Sequence, residues 1–193
     1  MVQITELSSS HFSSVVTLAN QVHGDNYLDE TNLAVMSRQG IKKGINASFV
    51  ALDSNSVVVG FRLSFAPGQW QPDQWCSQPL WPVPANTMAY FKSVGVAESA
   101  RGQGVASALL KRSVSALQLQ GATAGLAHIW RESPGNAAEL YFRHAGAALL
   151  KVHPNRWRHL SETVGYLCPI CGDLCSCSAA EMVLTFDTDC LGD

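Results

Sequence analysis

Three things are scarce in this chain, and each scarcity narrows its class. No apolar run is long enough to span a bilayer. Lys and Arg number 13 against 15 Asp and Glu, a net charge of -2, and they gather into no basic stripe of the kind nucleic acid requires. The opening Met1-Val2-Gln3-Ile4-Thr5-Glu6 has no basic segment followed by an apolar core, so it does not read as an export signal. A cytoplasmic protein that binds neither membrane nor nucleic acid is the expectation. Two glycine motifs are also missing: the Gly-x-x-x-x-Gly-Lys-Ser/Thr of a nucleoside-triphosphate loop and the Gly-x-Gly-x-x-Gly of a dinucleotide site.

What is present is apolar content of 47% over 193 residues, enough for one full core and a small appendage. Residues 9–22 and 28–40 read as amphipathic helices joined by Gly24-Asp25-Asn26. Residues 47–52 and 57–63 are β-favouring runs around a polar break, which makes a hairpin. Residues 67–86 carry Pro67, Pro72, Pro79, Pro82 and Pro84, which exclude a regular element. Trp70, Trp75 and Trp81 in that loop either pack on the surface or line an apolar or cationic acceptor pocket. Beyond it the order is strand (87–96), helix to Gly121, strand (122–130), helix from Ser133-Pro134 to about His144, strand (147–152) and a last strand at 182–186. That alternation marks an α/β domain with parallel pairing inside it.

The most informative stretch is Val94-Gly95-Val96-Ala97-Glu98-Ser99-Ala100-Arg101-Gly102-Gln103-Gly104-Val105-Ala106. A strand ends, glycines bracket a bend, and a helix starts at once. Unpaired backbone N–H groups at such a helix start can hold an anion, the glycines clear its approach, and Arg101 adds a charge-assisted donor. The same glycines would also serve a bare strand-to-helix bend.

The segment Arg101-Gly102-Gln103-Gly104-Val105-Ala106 resembles the Gln/Arg-x-x-Gly-x-Gly/Ala signature of the GNAT superfamily of acyl-CoA-dependent N-acetyltransferases. Asn136-Ala137-Ala138-Glu139-Leu140-Tyr141-Phe142-Arg143-His144-Ala145-Gly146 is similar to the family's Asn-x-x-Ala-x-x-Leu-Tyr-x-x-x-Gly-Phe pattern, though no single register fits. Aligning Leu140-Tyr141 shortens the distance from Asn136, whereas counting back from Gly146 puts Phe142 at the tyrosine position. The resemblance implies a mixed, strongly twisted sheet flanked by helices, whose middle parallel strands splay apart. It implies acetyl-CoA as cosubstrate, with pantetheine pairing near Val94 and Val96 and contacting Asn136. The pyrophosphate would lie on the amides of Arg101, Gly102, Gln103, Gly104, Val105 and Ala106. It also suggests the Val96 amide as the group that polarises the thioester carbonyl, and it leaves room for a homodimer.

Acyl transfer to an amine needs a neutral nucleophile, a polarised carbonyl and a stabilised leaving thiolate, and a ternary complex can supply all three without a protein nucleophile. Tyr141 is the expected donor to the sulfur, against the alternative of a core tyrosine. Glu132 and His128, at and beyond the end of one strand, are the candidate bases, with a water chain as the alternative.

Leu167-Cys168-Pro169-Ile170-Cys171-Gly172 has the shape of a zinc knuckle, and Cys175 and Cys177 complete four sulfurs. Cys76 and Cys190 stand apart. Structural zinc is expected, with an iron–sulfur centre, disulfides or free thiols as the alternatives. The cluster defines a metal-binding insertion at 155–179 within one domain spanning 1–193. The function expected is N-acetylation of a primary amine on a small molecule or a protein N-terminus. The alternative is a CoA-binding regulatory or interaction module with little turnover.

Overall fold

The computed structural model describes residues 2–186, and Cys190 lies outside them. The chain opens with β1 (Gln3–Glu6), α1 (Phe12–His23) and α2 (Glu30–Gln39). A small hairpin, β2 (Ile41–Lys42) and β3 (Ile45–Asn46), leads to β4 (Phe49–Leu52) and β5 (Val58–Phe65). After the proline-rich loop come β6 (Met88–Val96), α3 (Val105–Leu119), β7 (Ala124–Trp130) and α4 (Ala137–His144). The chain then forms β8 (Ala148–His153), α5 (Arg158–Val164) and β9 (Ala179–Thr185).

Seven strands form one sheet in the order β1-β4-β5-β6-β7-β9-β8. Every neighbouring pair is antiparallel except β6 and β7. A parallel pair needs a crossover, and α3 provides it. Alternation along β4 and β5 buries both faces. Phe49 and Ala51 join Val105, Leu109, Leu117 and Phe142 in one core beneath α3 and α4. Val50, Phe61 and Leu63 join Val15, Leu18 and Leu33 in another beneath α1 and α2.

The architecture is the mixed, helix-flanked sheet that the sequence motifs imply, and three local expectations change. Pro134–Asn136 forms a single 3-10 turn, and α4 starts only at Ala137, because Gly135 (φ 65°) and Asn136 (φ 52°) sit in the left-handed region and interrupt the run. The last strand begins at Ala179, three residues early. β1, the β2–β3 hairpin and α5 have no counterpart in the sequence reading; the first two are two- to four-residue pieces held by tertiary pairing. Among the described residues no helix is long and apolar enough to cross a membrane.

Candidate functional site

β6 and β7 pair over only three positions, Met88↔Ala124, Ala89↔Gly125 and Tyr90↔Leu126, and then separate. Two features open the fork. Gly125 has no side chain where the Phe91 ring lies, and the β5–β6 register jumps between Leu63↔Ser93 and Ser64↔Phe91, leaving Lys92 as a bulge that bends the strand. The fork widens into a cleft of about 730 Å³. Val94, Ile129, Phe142, Tyr90, His128 and Tyr166 are among the residues that line it.

The glycine turn follows directly from β6. Gly102 (φ 72°) and Gly104 (φ 75°) both occupy the left-handed region, and nothing lies within 4 Å of where a side chain would project from either. Ala108 N–H donates to Gly104 O at 3.0 Å, so the amides ahead of it on this first turn are free for another acceptor. Val105 is buried in the core at the start of α3. Arg101 Nε folds back on Val96 O at 3.3 Å, and Gln103 Nε2 donates to Ser99 O at 2.9 Å, so both side chains brace the turn. A backbone cradle with open space before it suits a pyrophosphate.

Across the fork, the buried Oδ1 of Asn136 has no hydrogen-bond partner and could accept from a ligand amide. Val94 O already accepts from His23 Nε2 at 3.1 Å, from the end of α1. Tyr141 does not line the cleft. Its hydroxyl accepts from Arg62 Nη2 at 2.7 Å and donates to Ala106 O at 3.1 Å, tying α4 to α3. Phe142, the tyrosine position of the gapless register, is the residue that faces the cleft. Arg62 is 2% exposed, lies 5.0 Å from the Phe91 ring centroid, and keeps a buried Nε without a partner.

His128 is at the cleft and fully engaged. Its Nε2 donates to Trp75 O at 2.8 Å, which makes Nδ1 the acceptor for the Tyr90 hydroxyl at 3.0 Å. Burial lowers its pKa to about 4, so the ring is neutral. Glu132 faces away from the cleft: its Oε2 accepts from Ser178 N–H at 2.9 Å and fastens the strand end to the cysteine-rich segment.

The three loop tryptophans do not line the main cleft either. Trp70 Nε1 donates to Met88 O, Trp81 Nε1 donates to Glu181 Oε1, and Trp75 packs against Arg156. Glu181 is fully buried and also accepts from Ser77 N–H and His153 Nε2, so one carboxylate pins the Ser77 and Trp81 part of the loop to the sheet. These bonds hold its pKa below the ordinary glutamate value despite burial.

The four cysteines do converge. Their sulfurs all lie within 4.8 Å of one another, with Cys168–Cys177 at 3.7 Å and Cys171–Cys177 at 3.4 Å. Tetrahedral zinc with ligands at about 2.3 Å requires sulfurs about 3.8 Å apart, so the donor set fits. The Cys168 and Gly172 backbones bond reciprocally at 3.0 and 2.9 Å and form the knuckle. Hydrogen bonds from Ser176 lower the Cys171 pKa to about 7, while burial raises Cys175 to about 11 and pushes Cys177 further up. The cluster packs against Tyr27, Trp130 and Trp157, so it backs one wall of the cleft.

Sequence reasoning overlooked Tyr27, Tyr90, Lys92, His23, Arg62 and Arg156. One signal was available: β6 alternates between buried and half-buried positions, and Tyr90 and Lys92 are polar residues in the half-buried set that ends at the glycine turn. The others come from distant segments and leave no local pattern.

Residues 13–147 match the model of the acetyltransferase (GNAT) family. No curated protein matches the chain in sequence. Among solved structures, Ard1 from Thermoplasma volcanium superposes with a TM-score of 0.68 at 17% identity, covering 96% of this chain and 98% of that one. The ribosomal-protein-S18-alanine N-acetyltransferase from Escherichia coli gives 0.65 at 13%, covering 100% of both. The putative acetyltransferase yncA from Salmonella typhimurium, solved with acetyl-CoA, gives 0.66 at 18%, covering 100% of this chain and 98% of that one. The family match spans most of the chain, and the splayed sheet and glycine turn agree with it: this protein belongs to the acetyltransferase (GNAT) family.

Proposed function

We propose that this protein transfers the acetyl group of acetyl-CoA to a primary amine, by direct attack within a ternary complex. The observation that carries the reading is the continuity of the open glycine turn, the unpaired fork and the 730 Å³ cleft. Acetyl-CoA would be held by the amides of residues 102–106, the Arg101 amide being already spent on Glu98 O at 3.2 Å, by the fork edge at Val94 and Val96, and by the unpartnered Oδ1 of Asn136. The Val96 amide would polarise the carbonyl.

Tyr90 and His128 form the proton path on the acceptor side. The neutral amine nitrogen adds to the carbonyl, and the proton it sheds as the C–N bond forms passes to the Tyr90 oxygen while the phenolic proton moves along its existing hydrogen bond to His128 Nδ1. The C–S bond then breaks and the sulfur leaves as the thiolate. On the leaving side, Arg62 lines the cleft with Phe91 and Phe142, and a buried guanidinium stabilises a developing thiolate strongly. Tyr141 acts there as a positioning residue, holding Arg62 by its hydroxyl. Cys168, Cys171, Cys175 and Cys177 would hold a structural zinc that leaves no open coordination position and ties the cysteine-rich segment to the cleft wall.

The acceptor is an amine on a small molecule or a protein N-terminus. The test is calorimetry with acetyl-CoA followed by measurement of CoA release across an amine panel. Binding with amine-dependent release is expected. Binding without release from any amine would instead assign the chain a CoA-binding regulatory role.

A further inference from the structure

A smaller cavity of about 300 Å³ adjoins the cleft. Asn32, Met36, Asp73, Tyr90, Lys92 and Arg156 line both spaces and form the neck between them. Lys92 is the β6 bulge residue, half-buried, and no hydrogen bond or ion pair engages its ammonium among the described residues. Burial, and then the charge of Arg156, hold its pKa below the ordinary lysine value. Arg156 is itself only 11% exposed in its side chain, and its buried Nε has no partner. Asp73 supplies the neck's one carboxylate, and it is occupied by Arg156 Nη2 at 3.1 Å. The nearby Asp29 carboxylate is spent on the α2 N-terminus, accepting from Asn32 N–H at 2.8 Å and Asn32 Nδ2 at 2.7 Å.

The neck therefore carries two cations against one anion, with unused donors on both cations. An uncompensated charge taken out of water is costly, and an anion arriving beside it relieves that cost. We infer that this neck is the subsite for an anionic group on the acceptor, so that the substrate is a small amine bearing its own carboxylate or phosphorus oxyanion, such as an α-amino acid. The inference rests on the acetyl-transfer reading and narrows it. Two physical consequences favour the arrangement. A carboxylate seated on Lys92 and Arg156 orients the neighbouring amine toward Tyr90. The residual positive field also lowers that amine's pKa and enlarges its neutral, nucleophilic fraction. A polyamine or aminoglycoside, multiply cationic, would be repelled by the same field.

Matched pairs isolate the anionic group. Initial rates are measured for glycine, L-alanine, L-methionine, L-phenylalanine and L-glutamate, each against its α-carboxamide, with spermidine and an acidic tetrapeptide alongside. The expected result is a KM at least tenfold lower for acids than for amides. In Lys92→Met the acid KM rises at least tenfold and the acid-to-amide KM ratio rises toward one, while acetyl-CoA Kd measured by calorimetry is unchanged. Equal use of acids and amides, or a preference for spermidine, overturns the inference and leaves acetyl transfer standing. Turnover of the acidic peptide with none of the free amino acids moves the anion to a peptide side chain and also overturns it. Should acetyl-CoA fail to bind, the transfer reading falls, and calorimetry of the same five acids with wild type and Lys92→Met decides the anion site alone: no heat with any acid overturns it.

Discussion

The Tyr166 hydroxyl donates to His23 O at 2.7 Å, and the His23 ring donates in turn to Val94 O at 3.1 Å. Tyr166 stands two residues before Cys168, so the cysteine-rich segment is linked through α1 to the strand edge that frames the cleft. Further bonds, Leu167 N–H to Asp25 O at 3.3 Å and Asn26 Nδ2 to Gly165 O at 3.1 Å, hold the same two regions together.

Metal removal should therefore damage acceptor binding first. Cys171→Ser, or treatment with a strong chelator, is expected to lower Tm and to raise the acceptor KM at least fivefold. The acetyl-CoA Kd should change less than the acceptor KM, because the glycine turn is braced within itself by Arg101 on Val96 O and Gln103 on Ser99 O. Elemental analysis of the untreated protein should find one zinc per chain, and its absence from a folded protein would remove the basis for this expectation.

Tyr90→Phe deletes the hydroxyl between the cleft and His128 while keeping the ring that packs near Trp70 at 4.8 Å. Loss of one positioned proton-transfer group predicts a kcat lower by about 10²-fold with little change in Tm. The pH–rate profile distinguishes this from a packing effect: a proton-path role shifts the profile, whereas repacking only scales it.

Tyr141→Phe has a different signature. It leaves Arg62 Nη2 and Ala106 O without their bonds in a nearly dry environment, at a cost of about 1–3 kcal/mol. The loosened guanidinium should also reduce kcat, without altering the pH dependence that Tyr90 controls. Urea unfolding and steady-state kinetics on the same preparation measure both.

His23 gives a pH prediction. Burial lowers its folded-state pKa to about 4 from 6.5, so the unfolded chain binds the proton more readily. The stability from keeping His23 neutral is complete above pH 6.5 and is lost as pH falls toward 4. The loss is on the order of 2–3 kcal/mol by pH 4.5. His23→Gln keeps a donor for Val94 O and should flatten that part of the urea-derived stability profile. An unchanged slope between pH 7 and 4.5 would rule His23 out as its source.

Sequence periodicity was a good guide wherever a local pattern coincided with a buried face. Leu109, Leu110 and Leu117 do line the core side of α3, and the two runs around Asp53 do form β4 and β5. The same logic gave less at the site. Tyr141 belongs to the motif that resembles the family's tyrosine, yet its hydroxyl is spent on Arg62 and Ala106 O, and Phe142 is the neighbour that lines the cleft. Glu132 and the loop tryptophans likewise turn toward partners, Ser178, Met88 and Glu181, that lie far away in the chain.

By itself the sequence determined the α/β order, the glycine turn with its free amides, and a four-cysteine donor set, because each depends on residues within a few positions of one another. Only the tertiary structure decided which side chains enter the cleft. The separation of β6 from β7, the neutral His128 beneath Tyr90, and the uncompensated pair of Lys92 and Arg156 arise where distant segments meet in a partly dry space. Burial and charge are properties of that meeting place, and no spacing along the chain encodes them.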